Sequence, residues 1–279
     1  MSRRVLIVAT ALGLTIVAGV FVVLIHPRKS VATILMYHSV TDGDDEPDPS
    51  IGRRLFSRQM AFLSTHGYET VFVKTIVNRR ESAQPIPSRW VALAFDGGYE
   101  DFYRNVYPVL KRYGLRATLF VIVAAVETEG GVTWVQLREM SRSGLVEIGS
   151  HSYRHVADAC LSAAQARAEE ARAKAVLEDQ LGVPVLTYAY PYGAFSERAA
   201  RMLRELGYRG AAGTVYRRNE FETDDVFNLR RVYVSKYSAI PLMFRFMLSG
   251  YYVPTRELIL RVLNIKAPRD VDCEGVLGR

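Results

Sequence analysis

Two histidines four positions apart give the strongest sign of chemistry in this sequence of 279 residues. His151 and His155 stand in the run Ser-His-Ser-Tyr-Arg-His, directly after a short apolar segment typical of a strand. Imidazole nitrogens are common ligands of Zn²⁺ and other borderline metals, and one turn of chain can bring two of them to the same ion. Taken alone, the pair fits a metal site and two unconnected surface histidines equally well.

An aspartate and another histidine follow two further apolar segments. Asp96 comes after the segment Val91–Phe95 and precedes Gly97 and Gly98, so its carboxylate would lie beside backbone that a ligand can approach closely. We interpret Asp96 as a candidate general base, although an aspartate before glycines is also typical of an ordinary turn. His38 follows Met36-Tyr37 at the end of another segment, where a structural polar group is the simpler interpretation.

A rigid turn follows a third predicted strand. Its sequence is Ala189-Tyr190-Pro191-Tyr192-Gly193. The aromatic rings of such a turn can form the wall of a binding groove, and its backbone amides can stabilise an anion. By itself the sequence predicts only a turn.

The elements that must position these residues alternate regularly after residue 31. The predicted strands are Thr33–Tyr37, Thr70–Val73, Trp90–Phe95, Ala117–Val121, Val146–Gly149, Leu186–Tyr190 and Arg230–Val234. The predicted helices are Phe56–His66, Glu100–Tyr113, Val135–Ser143, Leu161–Leu181 and Ser196–Leu206. This alternation predicts an α/β fold with parallel strands, and the number of strands favours a barrel over an open sheet. The motifs fall at the carboxyl ends of strands, where both folds place their active sites.

The amino terminus predicts a membrane anchor. Residues Val5–Ile25 form an uncharged run of 21, which as a helix would reach roughly 30 Å, enough to cross a bilayer. The apolar region of a cleaved signal peptide is shorter, about 7–15 residues. We therefore expect an uncleaved anchor in residues 1–30, a barrel in 31–263 that lies outside the cytoplasm, and a tail in 264–279.

Composition and charge exclude several other classes of protein. A chain with 49% hydrophobic and 23% charged residues is neither wholly disordered nor a multi-span membrane protein. The net charge is +7, but four basic residues precede residue 31, which leaves 32 basic against 29 acidic residues in the rest. An excess of three argues against nucleic-acid binding. The cysteines, Cys160 and Cys273, are expected to be unlinked thiols, and no protein partner is indicated.

Four motifs in order resemble one family. They are Met36–Val40 (MYHSV), Phe95–Asp101 (FDGGYED), Gly149–His155 (GSHSYRH) and Tyr190–Gly193 (YPYG). Together they resemble the polysaccharide deacetylases of carbohydrate esterase family 4, the NodB-homology domain. They are most similar to the branch that de-N-acetylates poly-N-acetylglucosamine polysaccharides. The resemblance spans Thr33 to Val234 and implies a distorted (β/α) barrel with one divalent metal, Zn²⁺ or alternatively Co²⁺ or Ni²⁺.

The resemblance also implies roles for individual residues. Asp96 corresponds to the general base, and His151 and His155 correspond to metal ligands. The turn Pro191-Tyr192-Gly193 corresponds to a wall of the substrate groove, with a backbone amide for the oxyanion at Tyr192. The histidine of the MYH motif takes the general-acid role in the exopolysaccharide branch, which implies that role for His38.

Three departures from the family pattern bear on activity. Gly97 stands where the family has a second Asp that ligates the metal, Ala189 stands in place of an Arg, and no histidine follows His155. Because catalytic metals usually have three protein ligands, the loss at Gly97 predicts a weakly bound metal, and Gly97→Asp is expected to restore a ligand. Glu100, Asp101 and Glu147 are the candidate substitutes.

Two hypotheses about function follow. One is a membrane-anchored, metal-dependent hydrolase that removes N-acetyl groups from an N-acetylglucosamine-containing polysaccharide. The alternative is a catalytically impaired relative that binds carbohydrate or acts as a scaffold, because Gly97 removes an expected ligand. A metal phosphoesterase needs more carboxylates and histidines than these strand ends provide.

Overall fold

The computed structural model describes residues 32–43, 49–214 and 225–263 together with Cys273. The strands are β1 (Thr33–Tyr37), β2 (Ser39–Thr41), β3 (Ser50–Gly52), β4 (Glu69–Val71), β5 (Trp90–Gly97), β6 (Ala117–Val121), β7 (Val146–Ser150), β8 (Thr187–Ala189), β9 (Gly210–Ala212) and β10 (Val232–Tyr233). Eight of them form one parallel sheet in the order β10-β1-β5-β6-β7-β8-β9, with β4 paired to the start of β5. Strands β2 and β3 form a separate parallel pair.

The helices of the described residues follow the strands and cover the sheet. They are α1 (Arg53–Thr65), α2 (Val73–Glu81), α3 (Tyr107–Tyr113), α4 (Trp134–Arg142), α5 (Ala163–Leu181), α6 (Glu197–Glu205), α7 (Pro241–Leu248) and α8 (Tyr252–Val262). A π-helical turn, Phe102–Val106, precedes α3 within the predicted helix Glu100–Tyr113. Short 3₁₀ turns at Asp158–Cys160 and Pro191–Gly193 follow β7 and β8.

Both faces of the central strand β5 are buried, which explains its continuous apolar sequence. Leu93 and Phe95 join the large cluster between the sheet and its helices, whereas Ala92 and Ala94 join a smaller cluster on the other face. Small side chains on this second face suit the restricted interior of a barrel. The side chains of β5 therefore alternate between two apolar clusters, and the polar residue Asp96 is the last before the final residue of the strand, Gly97.

The ends of the strand order approach each other. Ala212 of β9 forms a parallel bridge with Leu229, and three residues later Val232 of β10 pairs with Leu35 of β1. The predicted parallel, barrel-like sheet with outer helices is confirmed. The short pair β2–β3 and the strand β9 were not predicted.

The two cysteines form a disulfide, so the expectation of unlinked thiols is wrong. Cys160 and Cys273 are 113 residues apart in sequence, but their Cα atoms lie 5.2 Å apart. The fold places Cys273 beside the 3₁₀ turn that contains Cys160, and sequence alone could not show this proximity.

The predicted anchor, Val5–Ile25, lies outside the described residues, as does the tail 264–279 apart from Cys273. Within the described ranges, no helix has the length and apolar character needed to cross a membrane. The anchor and the domain boundaries therefore stay predictions.

Candidate active site

The predicted site residues gather around one pocket at the carboxyl edge of the sheet. The pocket has a volume of about 380 Å³, and its lining includes His38, Asp96, His151, His155 and Tyr192. The first four follow or end β1, β5 and β7, and Tyr192 follows β8. Because carboxyl ends of parallel strands meet at the same edge, residues far apart in sequence become neighbours here.

Asp96 is held by a buried arginine that the sequence did not reveal. Arg231, directly before β10, is fully buried, and its Nη1 and Nη2 donate to the two carboxylate oxygens of Asp96 at 2.5 and 2.8 Å. Its Nε donates to the backbone oxygen of Gly213 at 2.8 Å, which fixes the guanidinium plane. Such two-point pairing is geometrically specific.

This pair keeps Asp96 ionised. Burial by itself would raise the pKa of Asp96, but the charge and hydrogen bonds of Arg231, with smaller contributions from His151 and His38, hold the pKa well below its usual range. The carboxylate is therefore present over the whole neutral range.

The two predicted metal ligands, His151 and His155, lie next to each other in the pocket. Nδ1 of His151 lies 2.8 Å from the backbone oxygen of Ala189, so its Nε2 is the nitrogen that turns toward the pocket, 3.9 Å from Oδ2 of Asp96. The rings of His151 and His155 are 4.8 Å apart between centroids. A hydrogen bond from one ring nitrogen to a carbonyl is the usual support of a metal-binding imidazole.

The loop that carries the two histidines has an unusual backbone. Ser152 and His155 both have positive φ angles, 67° and 63°, although neither is glycine. The backbone N–H of His155 donates to Oγ of Ser152 at 2.7 Å, which holds this conformation. Positive φ at non-glycine residues is costly and clusters at functional sites.

Burial lowers the pKa of His151 to about 4, so its imidazole is neutral, the form that binds metal.

His38 enters the same pocket from the end of β1. Its ring packs edge-on against Tyr233 with centroids 5.9 Å apart. Its Nδ1 is buried and has no hydrogen-bond partner among the described residues. Burial lowers the pKa of His38, and Arg231 adds to this, while Asp96 opposes it. Because the ring also lines the pocket, its imidazole is available for proton transfer to a bound substrate.

The turn after β8 forms the wall on the other side. Pro191 is buried, whereas Tyr192 is 40% exposed, and its ring lies 4.5 Å from that of His155 between centroids. Tyr192 has a positive φ of 57°, which directs the ring to the mouth of the pocket. The N–H of Gly193 donates to the oxygen of Tyr190 at 2.9 Å, so this amide is already used within the turn.

A tyrosine ring occupies the space where the missing carboxylate would begin. Gly97 has a φ of 114°, and a Cβ built there would lie only 2.4 Å from Cε2 of Tyr99. Tyr99 lines the pocket and is 42% exposed. Burial raises the pKa of Tyr99, and the charges of Asp101 and Asp96 raise it further, so its phenol is neutral.

None of the three candidate substitutes lines the pocket. Asp101 accepts hydrogen bonds from Oγ of Ser39 and N of Val40, Glu147 accepts them from the hydroxyls of Thr118 and Thr187, and Glu100 pairs with Arg104. In the part of the chain that the structure describes, no group of three or more His, Cys, Asp or Glu side chains could hold a metal ion. The site thus offers two imidazole ligands, which fit a divalent ion as a pair, and lacks the third.

This arrangement changes the expected result of restoring the carboxylate. Gly97→Asp alone should raise Zn²⁺ affinity less than the double variant does, because the ring of Tyr99 must first move out of the space of the new side chain. Gly97→Asp combined with Tyr99→Ala should raise the affinity about 10- to 100-fold despite the strained φ at position 97. Isothermal titration with Zn²⁺ measures both, with Tyr99→Ala as the control. Equal gains from the single and the double variant would show that the ring does not block a ligand.

Known proteins resemble this chain in sequence and in fold. The family model for polysaccharide deacetylases matches residues 83–211. YxkH of Bacillus subtilis (strain 168), named as a polysaccharide deacetylase, is 30% identical over 176 residues, which cover 63% of this chain and 62% of YxkH. The poly-beta-1,6-N-acetyl-D-glucosamine N-deacetylase of Escherichia coli (strain K12) is 30% identical over 135 residues, 43% of this chain and 20% of that protein. The chain therefore spans less than two thirds of either relative.

Solved structures agree with the fold. IcaB from Ammonifex degensii superposes with a TM-score of 0.69 and 27% identity, covering 80% of this chain and 99% of that one. The deacetylase PplD of Streptococcus pyogenes gives a TM-score of 0.68 at 23% identity, covering 78% of this chain and 99% of PplD. The second likeness shows the fold alone.

Proposed function

We propose that this chain, which resembles the polysaccharide deacetylases in sequence and in fold, hydrolyses N-acetyl groups of an N-acetylglucosamine-containing polysaccharide. The observation that carries this proposal is the shared pocket, in which an ionised Asp96 lies beside the imidazole pair His151 and His155, with His38 in the same lining. The curated relative from Escherichia coli is named for this reaction on a poly-beta-1,6-linked polymer.

Each residue of the pocket has a task in this reaction. A divalent ion, Zn²⁺ or alternatively Co²⁺ or Ni²⁺, would be held by His151 and His155 and would polarise the acetyl carbonyl and acidify a water molecule. Asp96, kept ionised by Arg231, takes a proton from the attacking water. The C–N bond of the amide breaks, and His38 delivers a proton to the leaving amine, so that acetate and a free amino sugar result.

The turn after β8 contributes to substrate binding. The half-exposed ring of Tyr192 offers a flat apolar surface to a sugar ring, and the buried Pro191 with Gly193 fixes the turn behind it. A pocket that is open at the carboxyl edge of the sheet suits one sugar unit within a long polysaccharide better than a small metabolite that would be fully enclosed.

A second candidate function rests on Gly97 and Tyr99. If the ion is not retained by two imidazoles, the pocket keeps its sugar-binding wall but loses the activated water. The protein would then bind carbohydrate, or act as a scaffold, without turnover.

We extend the proposal to location. Residues Val5–Ile25 anchor the chain in the cell membrane as a single span, and the barrel lies outside the cytoplasm, where a surface polysaccharide is accessible. The disulfide between Cys160 and Cys273 supports a location outside the cytoplasm, because disulfides persist in oxidising compartments.

One experiment separates the two candidate functions. The full chain in detergent is incubated with oligomers of beta-1,6-linked N-acetylglucosamine and Zn²⁺, Co²⁺ or Ni²⁺, and acetate release, oligomer binding and bound metal are measured. Acetate release supports the deacetylase, and binding without release supports the second candidate. Neither binding nor release with any of the three metals would contradict both.

A further inference from the structure

The two C-terminal helices expose a concentration of large apolar side chains. Eleven such side chains are exposed in the described residues, and seven of them lie on or beside α7 and α8: Ile240, Leu242, Met243, Leu258, Ile259, Val262 and Leu263. Val262 is 74% exposed and Leu258 is 61% exposed. We call these seven residues the α7–α8 face. Exposing so many neighbouring apolar side chains to water is unfavourable, and such an apolar surface usually marks a contact site.

The opposite sides of the same helices are firmly seated on the domain. Phe244, Met247 and Leu248 of α7 are buried, and the ring of Phe244 meets that of Phe62 on α1 with centroids 6.0 Å apart. Tyr252, at the start of α8, packs against the main core. The α7–α8 face is therefore the outer side of a docked pair of helices.

The face lies near the point where the predicted anchor joins the domain. Oγ1 of Thr33, the first residue of β1, donates to the backbone oxygen of Met247 near the end of α7 at 3.4 Å. Seven residues separate Ile25 from Thr33, and even fully extended they span no more than about 30 Å. A bilayer that holds Val5–Ile25 is thus close to the end of α7.

The charges around the face suit an anionic surface. Between Ile240 and Leu263 the sequence has three basic residues, Arg245, Arg256 and Arg261, and a single acidic one. Arg28 and Lys29 follow the anchor directly. Apolar side chains flanked by arginine and lysine are typical of helices that lie in the headgroup region of a membrane.

We propose that the α7–α8 face lies on the surface of an anionic lipid bilayer and forms a second membrane contact beside the anchor. This inference rests on the anchoring proposed above and not on the deacetylase activity. Because Met247 is beside the start of β1, whereas the pocket is at the carboxyl ends of the strands, this contact leaves the pocket open on the side away from Met247. The contact orients the barrel toward a polymer outside the membrane.

Fluorescence quenching in liposomes tests this contact. The full chain is reconstituted with phosphatidylcholine and phosphatidylglycerol, and a fluorophore is attached at Ile259→Cys. The native cysteines are paired and do not react with it. Val135→Cys on α4 is the control, because Val135 is 67% exposed and α4 lies against β7 and α5. Nitroxides on the lipid acyl chains should quench the label at position 259 severalfold more strongly than the label at 135.

A charged variant makes the test specific. Leu258→Glu with Val262→Glu should reduce quenching at position 259 to the control level while the chain still floats with the liposomes through its anchor. Equal quenching at 259 and 135 in the parent chain would overturn the proposal. So would a label at 259 that is shielded from both the lipid nitroxides and aqueous iodide, since a protein surface such as a second copy would then cover the face. A chain that does not float would overturn both the anchor and the contact. Acetate release is measured separately, so that failure of the proposed function can be distinguished from failure of the membrane contact.

Discussion

Replacing Arg231 with methionine should lower the free energy of unfolding by about 3–5 kcal/mol at pH 7, because the Asp96 carboxylate would stay buried without its partner. Arg231 is 0% exposed and Asp96 is 4% exposed, so little water reaches the carboxylate to replace the lost hydrogen bonds. Methionine has a similar length and adds no charge, which keeps the loss of volume small. Denaturant titration measures the difference.

The matched control removes both charges. Asp96→Asn combined with Arg231→Met should be clearly more stable than Arg231→Met alone, since no unpaired charge remains in the interior. If the double variant is as unstable as the single one, the cost comes from lost packing of the arginine and not from the carboxylate.

The same pair predicts the direction of a pH dependence. Arg231 holds the pKa of Asp96 below its ordinary value, so the pair contributes fully above that value, about 4, and its contribution falls as the pH drops below it. The difference in stability between the parent chain and Arg231→Met should therefore be full from pH 7 down to about pH 4 and shrink as the pH falls further. A difference that stays constant as the pH falls from about 5 to about 2 would contradict this assignment.

That the site residues lie close together could be predicted from sequence, because the carboxyl ends of parallel strands all meet at one edge of the sheet. Asp96 lies near the end of β5, His38 and His151 directly follow β1 and β7, and such positions meet at one edge whatever the details of packing. Arg231 could not be predicted in this way. It is 135 residues from Asp96, and nothing local indicates that an arginine before a short strand points into the barrel.

The missed elements have weak local patterns. Strand β9, Gly210–Ala212, has no β-branched or aromatic residue, and only its pairing with β8 makes it a strand. Helix α2, Val73–Glu81, begins one residue after β4, and its first residue, Val73, continues the apolar run that predicts the strand. In both cases the tertiary contacts decide the structure, and a single sequence does not contain them.

The effect of Gly97 was only half visible from sequence. The sequence shows that a carboxylate is missing, but it does not show that the ring of Tyr99, two residues later, fills the same space. A turn that contains two glycines brings positions 97 and 99 together, and its backbone conformation is seen only in the structure. The space next to Gly97 is therefore filled by Tyr99, which only the structure shows.

His38→Ala should lower the rate of acetate release about 100- to 10,000-fold while leaving bound Zn²⁺ unchanged, since the proposed role of His38 is proton delivery. In the structure the imidazole pair is His151 and His155, and the ring of His38 lies instead against Tyr233. Turnover and metal content are measured on the same preparation, and a thermal unfolding curve confirms the fold.

His66→Ala is the matched control for this prediction, because His66 is exposed at the end of α1, stacks on Phe62 and is outside the pocket. It should leave both turnover and metal content as they are. If His38→Ala removes metal and activity in equal proportion, His38 supports the metal site and does not deliver the proton. The leaving amine would then have to take its proton from another group, and the ionised Asp96 can supply one only after it has accepted a proton from the attacking water.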